Sequence, residues 1–345
     1  MRHDYRFMLQ MMREAGESLG QIRITPDWDP AIEWTRWVGF RTTHVWAGEA
    51  AERGVEPVWH SRLGDPIVDL FRVRLAGPGG AWCQDFPATP YFADQARVVA
   101  AGLVESGVVA VGDRVRYRVT AAVSQEVAGA ASQLAFDAAD AAPAPVLRDT
   151  PLAPIVEGSI VSGEADAEDY EVFLPQAVLD DVTTVTARAG ESETGGVLIG
   201  HLHRDPVGGE IFGEVTAQIP ARHTHGTAQK LTFTSDTWTD VRAALTLRRQ
   251  DELMLGWWHS HPAFAWCKDC PEVRQRTCRL ASGFLSVDDK ALHRAMFPRA
   301  FTLALLMTHA VTGISPLLFG WRRGLIASRA FRVTSGTRPS RSGGL

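Results

Sequence analysis

The sequence lacks any run of about 18 apolar residues, so no membrane-spanning helix is expected. It also lacks a dense cluster of lysine and arginine, and its formal net charge is −5; nucleic acid is therefore not an expected partner. The opening stretch MRHDYRFMLQMMREAGESL carries charges throughout and has none of the continuous apolar core of a signal peptide. It reads instead as an amphipathic helix. Cysteine is scarce, confined to Cys83, Cys267, Cys270 and Cys278. Three of these crowd into one short segment, which fits metal binding in a reducing compartment better than a disulfide framework. The expected location is cytoplasmic, with no membrane partner. What is present is ordinary for a soluble globular chain: 45% hydrophobic and 22% charged residues. Its 345 residues suffice for two domains, each with its own core.

The fold class expected is α+β or α/β. Residues 125–155 are rich in Ala, Pro and Asp without sustained periodicity and read as a linker. They separate a smaller α+β domain over residues 1–124 from a larger one over 156–333, and the Gly/Ser-rich tail, 334–345, is expected to be disordered. In the first domain PIVDLFRVRLAG and DRVRYRVTAAV alternate as strands do, and YFADQARVVAAGLVESG has helical spacing that stops at Gly107. Trp28, Trp34, Trp37, Trp46, Trp59 and Trp82 all fall here; the plain reading is core, the alternative a partner-binding surface. In the second domain a short strand at Tyr170–Leu174 leads into a helix ending at Gly190. The apolar run Val197, Leu198, Ile199 suits a buried strand. TSDTWTDVRAALTLRRQ reads as a helix with Trp238, Val241, Leu245 and Leu247 as its apolar residues, and ELMLGWWHSH as a buried strand. SVDDKALHRAMF opens another helix, and AFTLALLMTH and PLLFGWRR are two further strands.

His259 and His261 sit at i and i+2 at the end of an apolar strand, so alternation puts both imidazoles on one face, within reach of one ion. A catalytic Zn²⁺ takes three protein ligands and keeps an open position. FLSVDDKALH offers Ser286, Asp288 and Asp289 at a helix mouth, where a carboxylate would complete the set. The pair alone is a weak signal, because His223 and His225 repeat the spacing in RHTHGT with no such element behind them. Ser286 and Asp289 are equally a helix cap, which is compatible with a role at a metal.

Taken together, ETGGVLIG opening on Glu193, then GWWHSHP, then SVDD resembles the JAMM (MPN+/JAB) zinc metallopeptidase family over roughly residues 170–332. The resemblance implies an MPN/JAB, cytidine-deaminase-like mixed sheet flanked by helices. It implies zinc held by His259, His261 and Asp289, with Glu193 as general base and Ser286 as oxyanion donor; Ser-x-x-Asp spacing favours Asp289 over Asp288. It further implies cleavage after the C-terminal glycine of a ubiquitin-like protein, in precursor processing or deconjugation. ETGGVLIG resembles prokaryotic members, which points to a bacterial pathway with E1-like and E2-like partners and a use in antiphage defence. The N-terminal domain would then recognise the modifier or its target. Two other readings stand beside this one: a peptidase of sulfur-carrier metabolism, and a non-catalytic scaffold, the latter disfavoured by five intact residues. The segment from His261 to Ser286 is longer than usual for the family and holds Cys267, Cys270 and Cys278, a zinc-ligand pattern short of one member. His293, His309 or Cys83 could complete a second, structural zinc; otherwise the segment is a plain loop. A His-Cys-Cys catalytic zinc of the nucleobase-deaminase type is disfavoured, since His-x-Glu is absent and no proline precedes Cys267.

Overall fold

The computed structural model describes residues 5–48, 52–60, 66–77, 80–123, 143–221, 233–271, 274, 278 and 280–335. His223 and His225, most of the expected linker and all but the first two residues of the expected tail lie outside them. The chain divides into two compact units, Met1–Ala144 with Arg323–Leu325, and Pro145–Arg322 with Ile326–Leu345.

The first unit runs β1 (Tyr5–Arg13), β2 (Ser18–Ile24), α1 (Asp29–Thr43), β3 (Glu52–Trp59), β4 (Val68–Gly77), β5 (Gly80–Pro87), α2 (Ala88–Tyr91), α3 (Ala93–Glu105) and β6 (Val115–Val123). Its strands form two antiparallel sheets, ordered β2-β1-β6 and β3-β4-β5. The opening residues are therefore not the expected helix but a strand hairpin. Phe7, Leu9 and Met11 are buried on alternate positions, and β1 pairs along its length with β6, Leu9 opposite Val119. Met, Leu, Gln and Arg favour helix intrinsically, but a weak propensity yields to a full ladder and a buried face. The helix expected before Gly107 forms as α3. Gly107 has φ +70, and the Gly107 and Val108 amides donate to the Val104 and Leu103 carbonyls, the paired bonds of a Schellman stop. Phe71 centres an aromatic cluster, its ring stacked on Phe86 at 5.0 Å and 4.7 Å from both Trp28 and Tyr91. Trp34 and Trp37 are buried, while Trp59 is 38% exposed. Most of the tryptophan content is packing.

The second unit runs β7 (Leu147–Asp149), α4 (Ala153–Glu157), β8 (Ser159–Ser162), β9 (Val172–Pro175), α5 (Gln176–Ala189), β10 (Gly195–Arg204), β11 (Ile211–Pro220), α6 (Ser235–Arg248), β12 (Leu253–His261), α7 (Ala263–Trp266), α8 (Val287–Met296), β13 (Leu303–Ala310), β14 (Gly313–Arg322), β15 (Leu325–Arg329) and β16 (Phe331–Thr334). One mixed sheet holds all its strands in the order β15-β14-β13-β12-β10-β11-β9-β16-β8, with β7 added on β10. The expected linker is thus partly built in: β7 lies parallel to β10 through Leu202, His203 and Arg204. The strand β11 was not anticipated, because Gly213 and Glu214 interrupt its apolar run. Its alternation is local to Phe212, Val215 and their neighbours.

β10 is buried on both faces over almost its whole length, as a central strand covered on both sides must be. Helix α6 covers it through Val241 against Val197 and Ile199. Leu247, expected on that apolar stripe, is 81% exposed, since six residues beyond Val241 it lies about 120° round the helix, whereas Leu245 stays on the sheet. Glycine is required where β12 meets β13: a Cβ on Gly256 would lie 2.0 Å from the Leu303 carbonyl oxygen. That close approach draws the histidine-bearing strand into the middle of the sheet.

Candidate metal centre

Strand β12 delivers the histidines. It runs antiparallel to β10, with Gly195 opposite His259, and parallel to β13, with His261 opposite Thr308. Trp257, His259 and His261 alternate onto one face; the Trp257 ring stacks on His259 at 4.5 Å and 12°. The ladder continues past β10: the Ser260 amide donates to the Thr194 carbonyl at 2.8 Å, and the Thr194 amide to Ser260 Oγ at 3.1 Å. These two bonds tie Thr194, and through it Glu193, to the histidine strand, and Glu193 feels the charge of Asp289.

The carboxylate arrives on a helix start. Ser286 caps α8 in a reciprocal box, its Oγ accepting from the Asp289 amide at 3.1 Å while Asp289 Oδ2 accepts from the Ser286 amide at 2.7 Å. This box aims Asp289 at the histidines. His259 Nε2 lies 3.1 Å from His261 Nε2 and 3.3 Å from Asp289 Oδ1, and His261 Nε2 lies 3.5 Å from Asp289 Oδ2. Ligand bonds of about 2.0–2.2 Å in a tetrahedron put donor atoms about 3.3–3.6 Å apart. The three donors therefore already stand near the edge lengths of a tetrahedral zinc site. Both histidines are buried, and their Nδ1 atoms find no hydrogen-bond partner among the described residues. Asp288, the off-register alternative, is exposed and outside the group.

Electrostatics separate the two acids. Burial, then the charge of Asp289, raises the Glu193 carboxyl to about 7. Burial pushes Asp289 up as well, but hydrogen bonds from His259, His261 and Ser286 outweigh it and hold that carboxylate well below the usual range. Burial lowers His261, which keeps the imidazole neutral and available as a ligand. One acid is thus a fixed anion, the other a group able to gain and lose a proton near neutrality.

Cys267, Cys270 and Cys278 form a second group, all three Sγ atoms within 4.8 Å of one another. The expected fourth ligands do not join them. Cys83 is exposed on β5 of the other unit. His293 is buried in α8 and used elsewhere: its Nδ1 accepts from Trp257 Nε1 at 3.0 Å, and burial lowers its pKa to about 3. His309 packs against Phe264 at 4.5 Å and is outside the group. Sequence reasoning did not find the part His293 plays, that of a neutral acceptor holding the tryptophan that stacks on His259. Its only sequence signal is its place one helical turn beyond Asp289.

Residues 168–272 match the family described as JAB1/Mov34/MPN/PAD-1 ubiquitin protease, and this part of the chain is an MPN/JAB-family domain. The match contains Glu193, His259 and His261 and stops short of Ser286 and Asp289; it includes nothing of the N-terminal unit. Among solved structures, the solution structure of a protein from Desulfitobacterium hafniense is similar at 17% identity, covering 50% of this chain and 99% of that one, with a TM-score of 0.36. No curated protein matches. Domains of this family permit a hydrolase or a scaffold, and His259, His261 and Asp289 are able to hold a metal ion. No helix of the described residues is long and apolar enough to cross a membrane.

Proposed function

We propose that the C-terminal unit is a zinc-dependent peptidase or isopeptidase that cuts after the C-terminal glycine of a ubiquitin-like protein. The observation that carries this reading is the convergence of His259, His261 and Asp289 at tetrahedral spacing with Glu193 held beside them by the Thr194–Ser260 ladder. A scaffold has no need of that arrangement, because a buried acid within reach of the Asp289 charge costs stability. His259, His261 and Asp289 would hold the zinc, which would supply Lewis acidity and draw the pKa of water down toward about 7. Glu193 accepts the proton of the attacking water and passes it to the leaving amine. Ser286 Oγ is fixed by the Asp289 amide, and in this reading its hydroxyl turns from Asp289 to donate to the oxyanion of the attacked carbonyl. His261 is walled by Trp266 at 4.9 Å and Phe284 at 5.4 Å, and a narrow site of this kind favours glycine beside the scissile bond. Partners of the reading are the modifier, its conjugates and the E1-like and E2-like enzymes that make them.

The test is hydrolysis by the full zinc-loaded chain of a ubiquitin-like protein carrying a C-terminal extension after Gly-Gly. Glu193→Gln should lower the rate by about 10²–10⁴ while zinc content stays at the wild-type level. Equal rates for wild type and Glu193→Gln would sink the assignment, and no hydrolysis by either would favour the scaffold.

A further inference from the structure

The metal chemistry of this chain is not exhausted by the histidine site. We infer that Cys267, Cys270 and Cys278 bind a second zinc ion, which ties together the two segments that wall His261.

Three thiols within 4.8 Å of one another, with no residue shared with the histidine group, form an independent donor set. Zn–S bonds of about 2.3 Å in a tetrahedron place sulfurs about 3.8 Å apart, so the group needs only a small contraction to close on an ion. The backbone is shaped for it. The Cys270 amide donates to the Cys267 carbonyl at 2.9 Å, closing a tight turn that turns both side chains of the Cys-x-x-Cys the same way. A second turn follows Cys278, whose carbonyl accepts from the Ala281 amide at 2.9 Å. Between them the sequence reads KDCPEVRQRT, with one apolar residue besides cysteine. Such a sequence offers almost no apolar side chain to bury, and short apolar-poor segments are those that need a metal or a disulfide to stabilise a fold.

No disulfide joins these cysteines. Soft thiolate donors select zinc among the common closed-shell cations, whereas hard cations want oxygen. A fourth donor is supplied by water or by a side chain that swings in. His309 offers one, with its Nδ1 buried and unpartnered and its ring against Phe264 of α7.

The consequence reaches the catalytic group through covalent neighbours. Cys267 directly follows Trp266, and the chain after Cys278 leads to Phe284; both rings pack on His261. An ion held by Cys267 and Cys278 therefore locks one wall to the other, without itself meeting substrate.

The experiment is elemental analysis and cobalt substitution of the full chain, purified under reductant. Wild type should hold two zinc ions per chain. The double variant His259→Ala/Asp289→Ala should hold one and, loaded with Co²⁺, still show a thiolate-to-cobalt charge-transfer band. Cys267→Ser/Cys278→Ser should hold one, without that band. If this cysteine variant fails to fold, the histidine-site variant decides alone. No thiolate band, one zinc in wild type with none in the histidine-site variant, or a Cys267–Cys270 disulfide in the reduced preparation would each overturn the inference. Because these readouts are independent of hydrolysis, an inactive protein with a thiolate-bound ion would refute the proposed activity and leave this site standing.

Discussion

Two residues separated along the chain by the cysteine segment are brought into one acid–base and ligand system by a helix cap. Ser286 is part of both the cap and the proposed oxyanion donor, and the two roles predict different readouts. Replacing a serine cap by alanine costs about 1 kcal/mol, a change of a few degrees in melting temperature. Losing one oxyanion donor costs about 10²–10³ in rate. Ser286→Ala should therefore remain folded and zinc-loaded, with a small drop in Tm and a kcat lower by two to three orders. A Tm loss without a kcat loss would reduce Ser286 to a cap. At this scale the sequence was informative: His259, His261 and Asp289 were legible as a group able to hold a metal ion, because ligand chemistry restricts residue type and the i, i+2 and Ser-x-x-Asp spacings are local. Trp257 and His293 were not legible as a pair. Their bond joins β12 to α8 across the core, and a tryptophan and a histidine carry no spacing that announces it.

At the scale of elements, buried histidines give the C-terminal unit a pH dependence. Burial lowers His293 from the ordinary value of 6.5 to about 3, and burial with the nearby Arg148 charge lowers His201 from 6.5 to about 4. Both folded-state values lie below the unfolded ones, so below about pH 6.5 the unfolded chain binds more protons than the native chain. Their contribution is complete above that pH and is lost as pH falls toward 4 and then 3. The urea midpoint should fall between about pH 7 and pH 4. His293→Gln, which keeps an acceptor for Trp257 and cannot be protonated, should show a shallower fall. An unchanged slope in that variant would mean His293 is not held neutral. Element type was read correctly where a pattern was long, as in α5 or β12. It failed at β1, where helix-favouring residues were claimed by the β6 ladder, and at β11, where Gly213 and Glu214 broke the pattern.

For the whole molecule, the MPN/JAB match stops at the second unit, and the first unit has a separate core of its own built on Phe71, Phe86 and Tyr91. A peptidase unit of the proposed kind needs no second domain to cut a short peptide, so we propose that the first unit recognises the modifier or its target. Removal of residues 1–124 should leave hydrolysis of a short Gly-Gly-containing peptide within about twofold. It should lower kcat/KM on the protein substrate about tenfold or more, the loss of roughly 1.4 kcal/mol of binding. Equal losses on both substrates would show the unit to be a stabiliser of the catalytic half and not a recognition domain.

The sequence by itself determined which residues are able to do chemistry at the centre, since imidazole, carboxylate and thiol donors are rare and their short spacings survive in one dimension. It also pointed to two domains. Only the tertiary structure decided that the donors meet: β12 must lie between β10 and β13, with Gly256 allowing the approach, before His259 and His261 face an aspartate capped onto α8. It likewise decided that the three cysteines gather without Cys83, His293 or His309. Distances between residues far apart in the chain are set by strand pairing and burial, which are properties of the whole fold and leave no local mark on the sequence.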